Sequence, residues 1–400
     1  MPRGGPRVTG AGPVRGRRLA AAAVGATAAA AMPLFLLGAL AVQVRADLGF
    51  SEAGLGAAIA LFFIVSAVSG PFVRRIIERL GSFRGVLATC VLAALALASV
   101  ALLVDGYAGL LGAMALGGAG QAFGQPSANG LLSRGLAGRR EGTAFGVKQA
   151  AVPLASLLAG ATVPLIALTV GWRWAYGLVA VVVLAVPALV PRHSPASAPR
   201  PRTGAGPVPP TMAWLALAGV FAAAPTMALG SFLVEAAVDR GLGASTAGLL
   251  LVYGSLVSIA VRLAIGVRID ARPFPPMRAM AGMMAAGSLG FVLLALGQGA
   301  AALVAATTIA FGVGWAWNGL MDLSVVRLNR DRPAAGTSTF LSLFFVGAAI
   351  GPLGFGAIVE AAGFAAAWLA AAGLLLCAAG CVAQAVRLAP SPLATAARGT

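Results

Sequence analysis

The chain has 400 residues, 60% of them hydrophobic and only 10% charged, with a mean hydropathy of +0.94. That composition excludes a water-soluble globular protein. Its apolar positions suffice for twelve membrane spans of about 20 residues each, leaving little chain for a domain outside a bilayer. The formal charge of +17 raises the question of a nucleic-acid partner, which the placement of the basic residues decides.

In chain order, Arg17 and Arg18 precede an alanine-rich run and have the look of a secretory signal. A counterpart of that run in mid-chain argues instead for a retained first span. Apolar runs predict spans at 19–43, 53–73, 85–104, 107–133, 143–170 and 174–190. A second set follows at 212–238, 244–267, 277–296, 300–326, 337–359 and 364–386. Uninterrupted runs of this length specify helices rather than a barrel. The 54 glycines suit close helix–helix approach in lipid. Cys90, Cys377 and Cys381 lie in apolar stretches without a CxxC pair, and His193 is the single histidine, so neither a disulfide framework nor a metal site is expected.

Of the 28 basic residues, 25 fall at one set of alternate span ends and 3 (Arg45, Arg173 and Arg240) at the other. This asymmetry predicts that both termini and the central segment are cytoplasmic. The basic charge therefore reports topology, and no nucleic-acid partner is expected. Abundant Ala, Arg and Gly with almost no Lys fits a bacterial chain, placing it in the cytoplasmic membrane as a multi-pass protein.

The chain also repeats itself. A shift of 192 lays Pro33 on Pro225, Gly38 on Gly230, Gln43 on Glu235 and Asp47 on Asp239; a shift of 193 lays Gln125 on Asn318 and Asn129 on Asp322, and Arg134 on Arg327. At 194, Gly142 and Thr143 meet Gly336 and Thr337. An even number of spans per repeat makes the two halves parallel, with substrate expected between them. The predicted division is a six-helix bundle over 1–190, a Pro/Ser/Gly-rich cytoplasmic linker over 191–211 and a second bundle over 212–400. The fold class is thus all-α and polytopic, with two pseudo-symmetric bundles.

The segment from Arg74 to Arg84, R-R-I-I-E-R-L-G-S-F-R, resembles the signature that follows the second helix in the major facilitator superfamily of secondary transporters. Glu78, Arg79, Gly81 and Arg84 match; Arg74 stands where the signature has Gly, and Glu78 where it has Asp. The repeat-related G-V-R-I-D-A-R keeps Gly266, Asp270 and Arg272. The resemblance implies that these seven residues form gate latches on the cytoplasmic side, with ordinary topology-setting charge as the alternative. G-T-A-F-G-V-K-Q-A-A-V-P from Gly142 and G-W-R-W-A from Gly171 resemble a bacterial small-solute branch. The fifth span lacks the Gly-Pro run of drug/proton antiporters, whereas the eleventh has G-A-A-I-G-P-L-G from Gly347.

Ionisable groups within a span are functional candidates because leaving them unpaired in lipid is costly. Lys148, the only lysine, lies about 10 Å into the fifth span beside Gln149. It can attract an anion, or snorkel to the interface. Gln121, Gln125 and Asn129 recur every four residues on one helical face, and Trp315, Asn318 and Asp322 echo them. The resemblance implies that these two stripes face each other across a substrate path, where amides suit polar solutes and Trp315 an organic body. Interhelical glue is the alternative. Asp322 is a proton-coupling candidate or the partner of Arg327 or Arg262; Glu235, one turn beyond Ser231, is an outer proton carrier or an interfacial cap. Pro33, Pro153, Pro225 and Pro352 sit where bends would suit moving helices.

No HExxH, nucleophile elbow, P-loop or metal-spaced histidine cluster occurs, so no enzyme activity and no cofactor are expected. The sequence predicts a monomeric, proton-coupled transporter of a small organic solute, an anion by virtue of Lys148. Its partners are then the solute, protons and the lipid bilayer. Drug or metabolite efflux is the alternative within the class; an uncoupled channel or a sensor is the alternative outside it.

Overall fold

The computed structural model describes residues 13–135, 141–190, 209–272, 274–328 and 333–389, and these are built from helices with no strand among them. The first half comprises α1 (Pro13–Ala39), α2 (Ala41–Leu48), α3 (Glu52–Leu102), α4 (Tyr107–Gly135), α5 (Glu141–Thr162) and α6 (Trp172–Ala185). The second half comprises α7 (Pro210–Asp239), α8 (Ala244–Ala271), α9 (Pro276–Leu296), α10 (Gly299–Ile309), α11 (Asn318–Leu328) and α12 (Pro333–Leu388). Among the described residues, nine helical stretches are long and apolar enough to cross a membrane.

Two of those stretches are double. α3 has 51 residues, and at Gly81 its backbone takes φ 83° and ψ 165°, a left-handed extended conformation closed to side chains with a Cβ. Both arms return to α4: Gly118 abuts Phe62 of the first arm, and Gly120 abuts Leu92 and Ala93 of the second. α12 repeats the device at Gly363, with φ 81° and ψ 171°, and its arms meet where Phe355 packs edge-on against Trp368 at 4.5 Å. The loops expected between spans two and three, and between eleven and twelve, are thus single-glycine reversals. With α4 the arrangement is consistent with twelve crossings.

Other departures from the predicted spans have local causes. α2 ends at Gly49, whose φ of 67° is left-handed, and Ser51 opens α3 by accepting the Gly54 N–H at 3.2 Å. The expected span 143–170 closes in a π turn, Val163–Ala167. The expected span 300–326 is interrupted: a π turn, Ala310–Gly314, leads into a bend at Trp315 and a turn at Ala316 and Trp317 before α11 begins. The predicted linker lies outside the described residues as far as residue 208, as do the side chains of Arg134 and Thr337.

Within each half the helices pack on one another, and the three broadest seams between the halves are α1 to α7, α3 to α12 and α5 to α8. Glycine makes each seam close. A Cβ on Gly38 would lie 2.6 Å from Ser231 Cα, while Gly56 faces the Pro352 carbonyl and Gly356 the Glu52 carbonyl. Along α5 and α8, Gly142 meets Gly266, Gly146 meets the Arg262 carbonyl and Gly160 meets Gly248. In lipid, where apolar burial gives no net drive between helices, such backbone contact supplies the packing.

Candidate functional site

α5 presents Lys148 and Gln149 to the second half. Lys148 Nζ lies 3.3 Å from Asp322 Oδ2 of α11, and Gln149 Nε2 donates to the same oxygen at 2.5 Å. The ion pair is largely withdrawn from solvent, each side chain being 13% exposed. Asp322 therefore engages Lys148 and Gln149, rather than Arg327.

A second cation completes the cluster. Arg262 of α8 is 2% exposed. Its Nη1 donates to the Gln149 carbonyl at 2.6 Å, its Nη2 to the Trp315 carbonyl at 2.7 Å and its Nε to Ser258 Oγ at 3.2 Å. Both carbonyls are free for a sequence reason. Pro153 has no N–H, which strips the carbonyl of Gln149, four residues earlier, of its helical partner. The break after Ala310–Gly314 frees that of Trp315, which also accepts from Asn318 Nδ2 at 3.3 Å. The guanidinium further stacks over the Trp315 ring at 5.6 Å and lies within electrostatic reach of Asp322. Two cations thus face one carboxylate where the halves meet.

Trp315 itself is fully buried, 5.9 Å from Phe35 of α1 and 5.1 Å from Phe311, and its indole N–H has no acceptor among the described residues. In this conformation it bridges the two halves as packing. Gln121, Gln125 and Asn129 are half-buried on α4 and make no hydrogen bond to the Lys148 cluster among the described residues; Gln121 Oε1 is buried without a partner.

At the arginine-rich end the two signature segments behave differently. Asp270 accepts from the N–H groups of Gly142 and Thr143, both at 2.8 Å, and from Thr143 Oγ1 at 2.6 Å. A carboxylate of the second half so caps a helix start of the first. A Cβ on Gly266 would lie 2.6 Å from the Gly142 carbonyl, which explains glycine there. Arg272 closes α8 with an exposed side chain. Glu78 instead pairs with Arg74 of its own helix at 3.7 Å, both well exposed, while Arg79 and Arg84 are exposed and Gly81 makes the reversal.

At the opposite end Arg45 ties three elements together. Its Nη1 pairs with Glu235 of α7 and with Glu52 at 2.9 Å, and its Nε donates to the Phe50 carbonyl at 3.0 Å. Glu235 is 6% exposed, and its Oε2 has no partner among the described residues. A cavity of about 340 Å³ lies here, bordered by Arg45, Glu52, Glu235, Asp239, Phe50 and Phe364.

Sequence reasoning passed over Arg45 as a site residue and named Arg262 only as one of two arginines open to Asp322. Both counted as topology-setting charge near span ends. The available signal was Pro153 with Gln149: a proline within a span exposes a carbonyl four residues back, and that acceptor calls for a donor.

The model of the Major Facilitator Superfamily matches residues 20–352. No curated protein matches the chain in sequence. Among solved structures, a variant of the nucleoside transporter NupG is similar at TM-score 0.72 and 16% identity, over 93% of this chain and 99% of that one. A bacterial homologue of the human lysosomal transporter Spinster, inward-facing and occupied, is similar at 0.70 and 17%, over 96% and 100%. The human organic anion transporter MFSD10 (TETRAN) is similar at 0.63 and 17%, over 92% and 99%. These likenesses establish the fold, and the match over most of the length establishes that the chain belongs to the Major Facilitator Superfamily.

Proposed function

We propose that the protein is a secondary active transporter that carries a small organic anion across the membrane with protons, by alternating access between bundles 1–190 and 212–400. The observation that carries this reading is the convergence of Lys148 Nζ and Gln149 Nε2 on one carboxylate oxygen of Asp322. The donors of α5 already hold a carboxylate that the protein supplies. A substrate anion recruits the same donors, and Asp322, once protonated, gives them up without stranding a charge. Arg262 adds the second positive charge that favours an anion over a neutral or cationic solute.

In this mechanism Asp322 and Glu235 carry protons, and Gln121, Gln125, Asn129, Asn318 and Trp315 line the path once the halves move. The latches are Asp270 and Glu78, with Arg79, Arg84 and Arg272 around them, and Gly81 and Gly266 supplying the close turns. The arginine-rich end faces the cytoplasm of a bacterial cell. Separation there breaks the Asp270 cap; opening at the other end breaks the Arg45–Glu235 pair.

The test is a thermal-shift panel of small organic anions, neutral solutes and lipophilic cations on the purified protein and on Lys148→Gln. Stabilisation by an anion, lost in Lys148→Gln, is expected. Stabilisation by cations alone, indifferent to Lys148, would replace this reading with proton-driven efflux, the reading favoured by the three carboxylates around the Arg45 cavity.

A further inference from the structure

The cavity beside Arg45 has a chemistry opposite to that of the Lys148 cluster. Three carboxylates border it, Glu52 from α3 and Glu235 and Asp239 from α7, against the single guanidinium of Arg45 from α2. Arg45 is already committed to Glu52, Glu235 and the Phe50 carbonyl. That leaves Asp239, which is exposed at the mouth within electrostatic reach of Arg240, whose own hydrogen bonds go to the Leu294 and Ala295 carbonyls, and the second oxygen of Glu235, which is buried without a hydrogen-bond partner among the described residues. A buried carboxylate oxygen that accepts nothing is costly to maintain. Two phenyl rings, Phe50 and Phe364, complete the wall. Carboxylates with aromatic faces around a volume of about 340 Å³ are the elements that hold an ammonium group: ion pairing and N–H donation to the carboxylate, with ring faces toward the alkyl-substituted charge.

We propose that this cavity is a vestibule that, while the halves are closed at this end, binds a small ammonium-type cation between Glu235, Asp239 and the rings of Phe50 and Phe364 in preference to an anion. Arg45 is the built-in competitor for that seat: its guanidinium occupies one oxygen of Glu235, and the other is closed off in this arrangement, so a cation reaches Glu235 by displacing Arg45. The vestibule lies where α2 and α3 of the first half meet α7 of the second, so a cation bound there contacts both bundles and bears on their separation at this end. The proposal does not depend on the anion reading of the Lys148 cluster.

The test uses the full-length protein with Cys90, Cys377 and Cys381 replaced by alanine and a reporter thiol introduced by Ala46→Cys, an exposed position on the cavity wall. Its modification rates by a trimethylammonium-bearing and a sulfonate-bearing methanethiosulfonate are compared, each divided by the rate for free mercaptoethanol. The normalised ratio should favour the cation by about tenfold or more, the effect of a like-charged cleft on local ion concentration. Glu235→Gln or the exposed Asp239→Asn should lower it several-fold, and methylammonium should slow the cationic reagent where acetate does not. A ratio near one, or a ratio unmoved by Asp239→Asn, overturns the vestibule; absence of protection by methylammonium overturns the binding site. No arm of this test supplies a transported solute or reads uptake, so failure here is distinguishable from failure of the transport reading.

Discussion

Asp270 accepts hydrogen bonds from the backbone N–H groups of both Gly142 and Thr143 at 2.8 Å, so a carboxylate on α8 serves as the N-terminal cap of α5 in the other half of the chain. Helix caps are ordinarily local, supplied by the residue just before the helix. Here the cap is held only while the halves are together, which is what the proposed latch requires.

Asp270→Ala should therefore loosen this end more than it unfolds the protein. A cap with its charge interaction is worth about 1–2 kcal/mol, which is about 5- to 30-fold in an equilibrium between joined and separated ends. Spin-label distances across this end, between α5 and α8, should shift toward a longer population. Asp270→Asn should lie in between, since it keeps an acceptor and loses the charge. An unchanged distance distribution in Asp270→Ala would show that the cap does not hold the halves.

Gly248 tests the seam at the far end of the same helix pair. An added Cβ there would lie 2.7 Å from Val163 Cβ and 2.9 Å from the Gly160 carbonyl. Gly248→Ala should cost about 1–3 kcal/mol of packing, read as a lower thermal midpoint in detergent, and Gly248→Val more. Gly282, with open space around it, should accept alanine without penalty.

The Lys148–Asp322 pair separates stability from transport. Lys148→Met alone strands a carboxylate and should destabilise by about 3 kcal/mol. Lys148→Met with Asp322→Leu removes both charges and should recover most of that stability while transport stays lost. Recovery of transport along with stability in the double variant would make the pair structural.

Arg262 should prove intolerant of lysine. Arg262→Lys keeps the charge but cannot span the Gln149 and Trp315 carbonyls in the planar geometry that holds them at 2.6 and 2.7 Å. Transport should fall at least about tenfold, matching the loss of one charge-assisted hydrogen bond of about 1.5–3 kcal/mol. Restoring an N–H at residue 153 with Pro153→Ala gives the Gln149 carbonyl a helical partner, and should lessen the penalty of Arg262→Lys. Wild-type uptake in Arg262→Lys would exclude the bridging role.

Much of the helical order was legible because lipid enforces it: a chain that must satisfy its own backbone in a bilayer has few options, and apolar runs declare where. Gly81 and Gly363 show the limit. Hydropathy drops across the first, where Arg74 to Arg84 cluster, and a loop was the natural expectation. The reversal takes one residue because glycine alone reaches φ near +80° without a clash. The interruption at Trp315 left no hydropathy signal, since the residues from Ala310 to Trp317 are apolar or glycine throughout.

The cluster was legible by halves. Lys148 stands out as the single lysine, and Asp322 as a carboxylate within an apolar run, but their pairing crosses 174 residues of chain. Arg45 was submerged in the topology count, where every arginine looks alike, and Arg262 stood out only as one of two candidates to pair with Asp322. Glu78 and Asp270 sit at repeat-related positions in similar segments, yet one pairs with its own helix and the other with the opposite half.

The sequence by itself determined the solvent, the helices and the duplicated plan, because these follow from composition and period, which are properties of each segment alone. Only the tertiary structure decided which charges meet. Pairing at 3 Å depends on how glycine seams bring α5 against α8 and α1 against α7, and that approach is a property of two surfaces together. A single carbonyl freed by Pro153, or a single carboxylate such as Glu235 paired with Arg45, takes its meaning from the helix facing it.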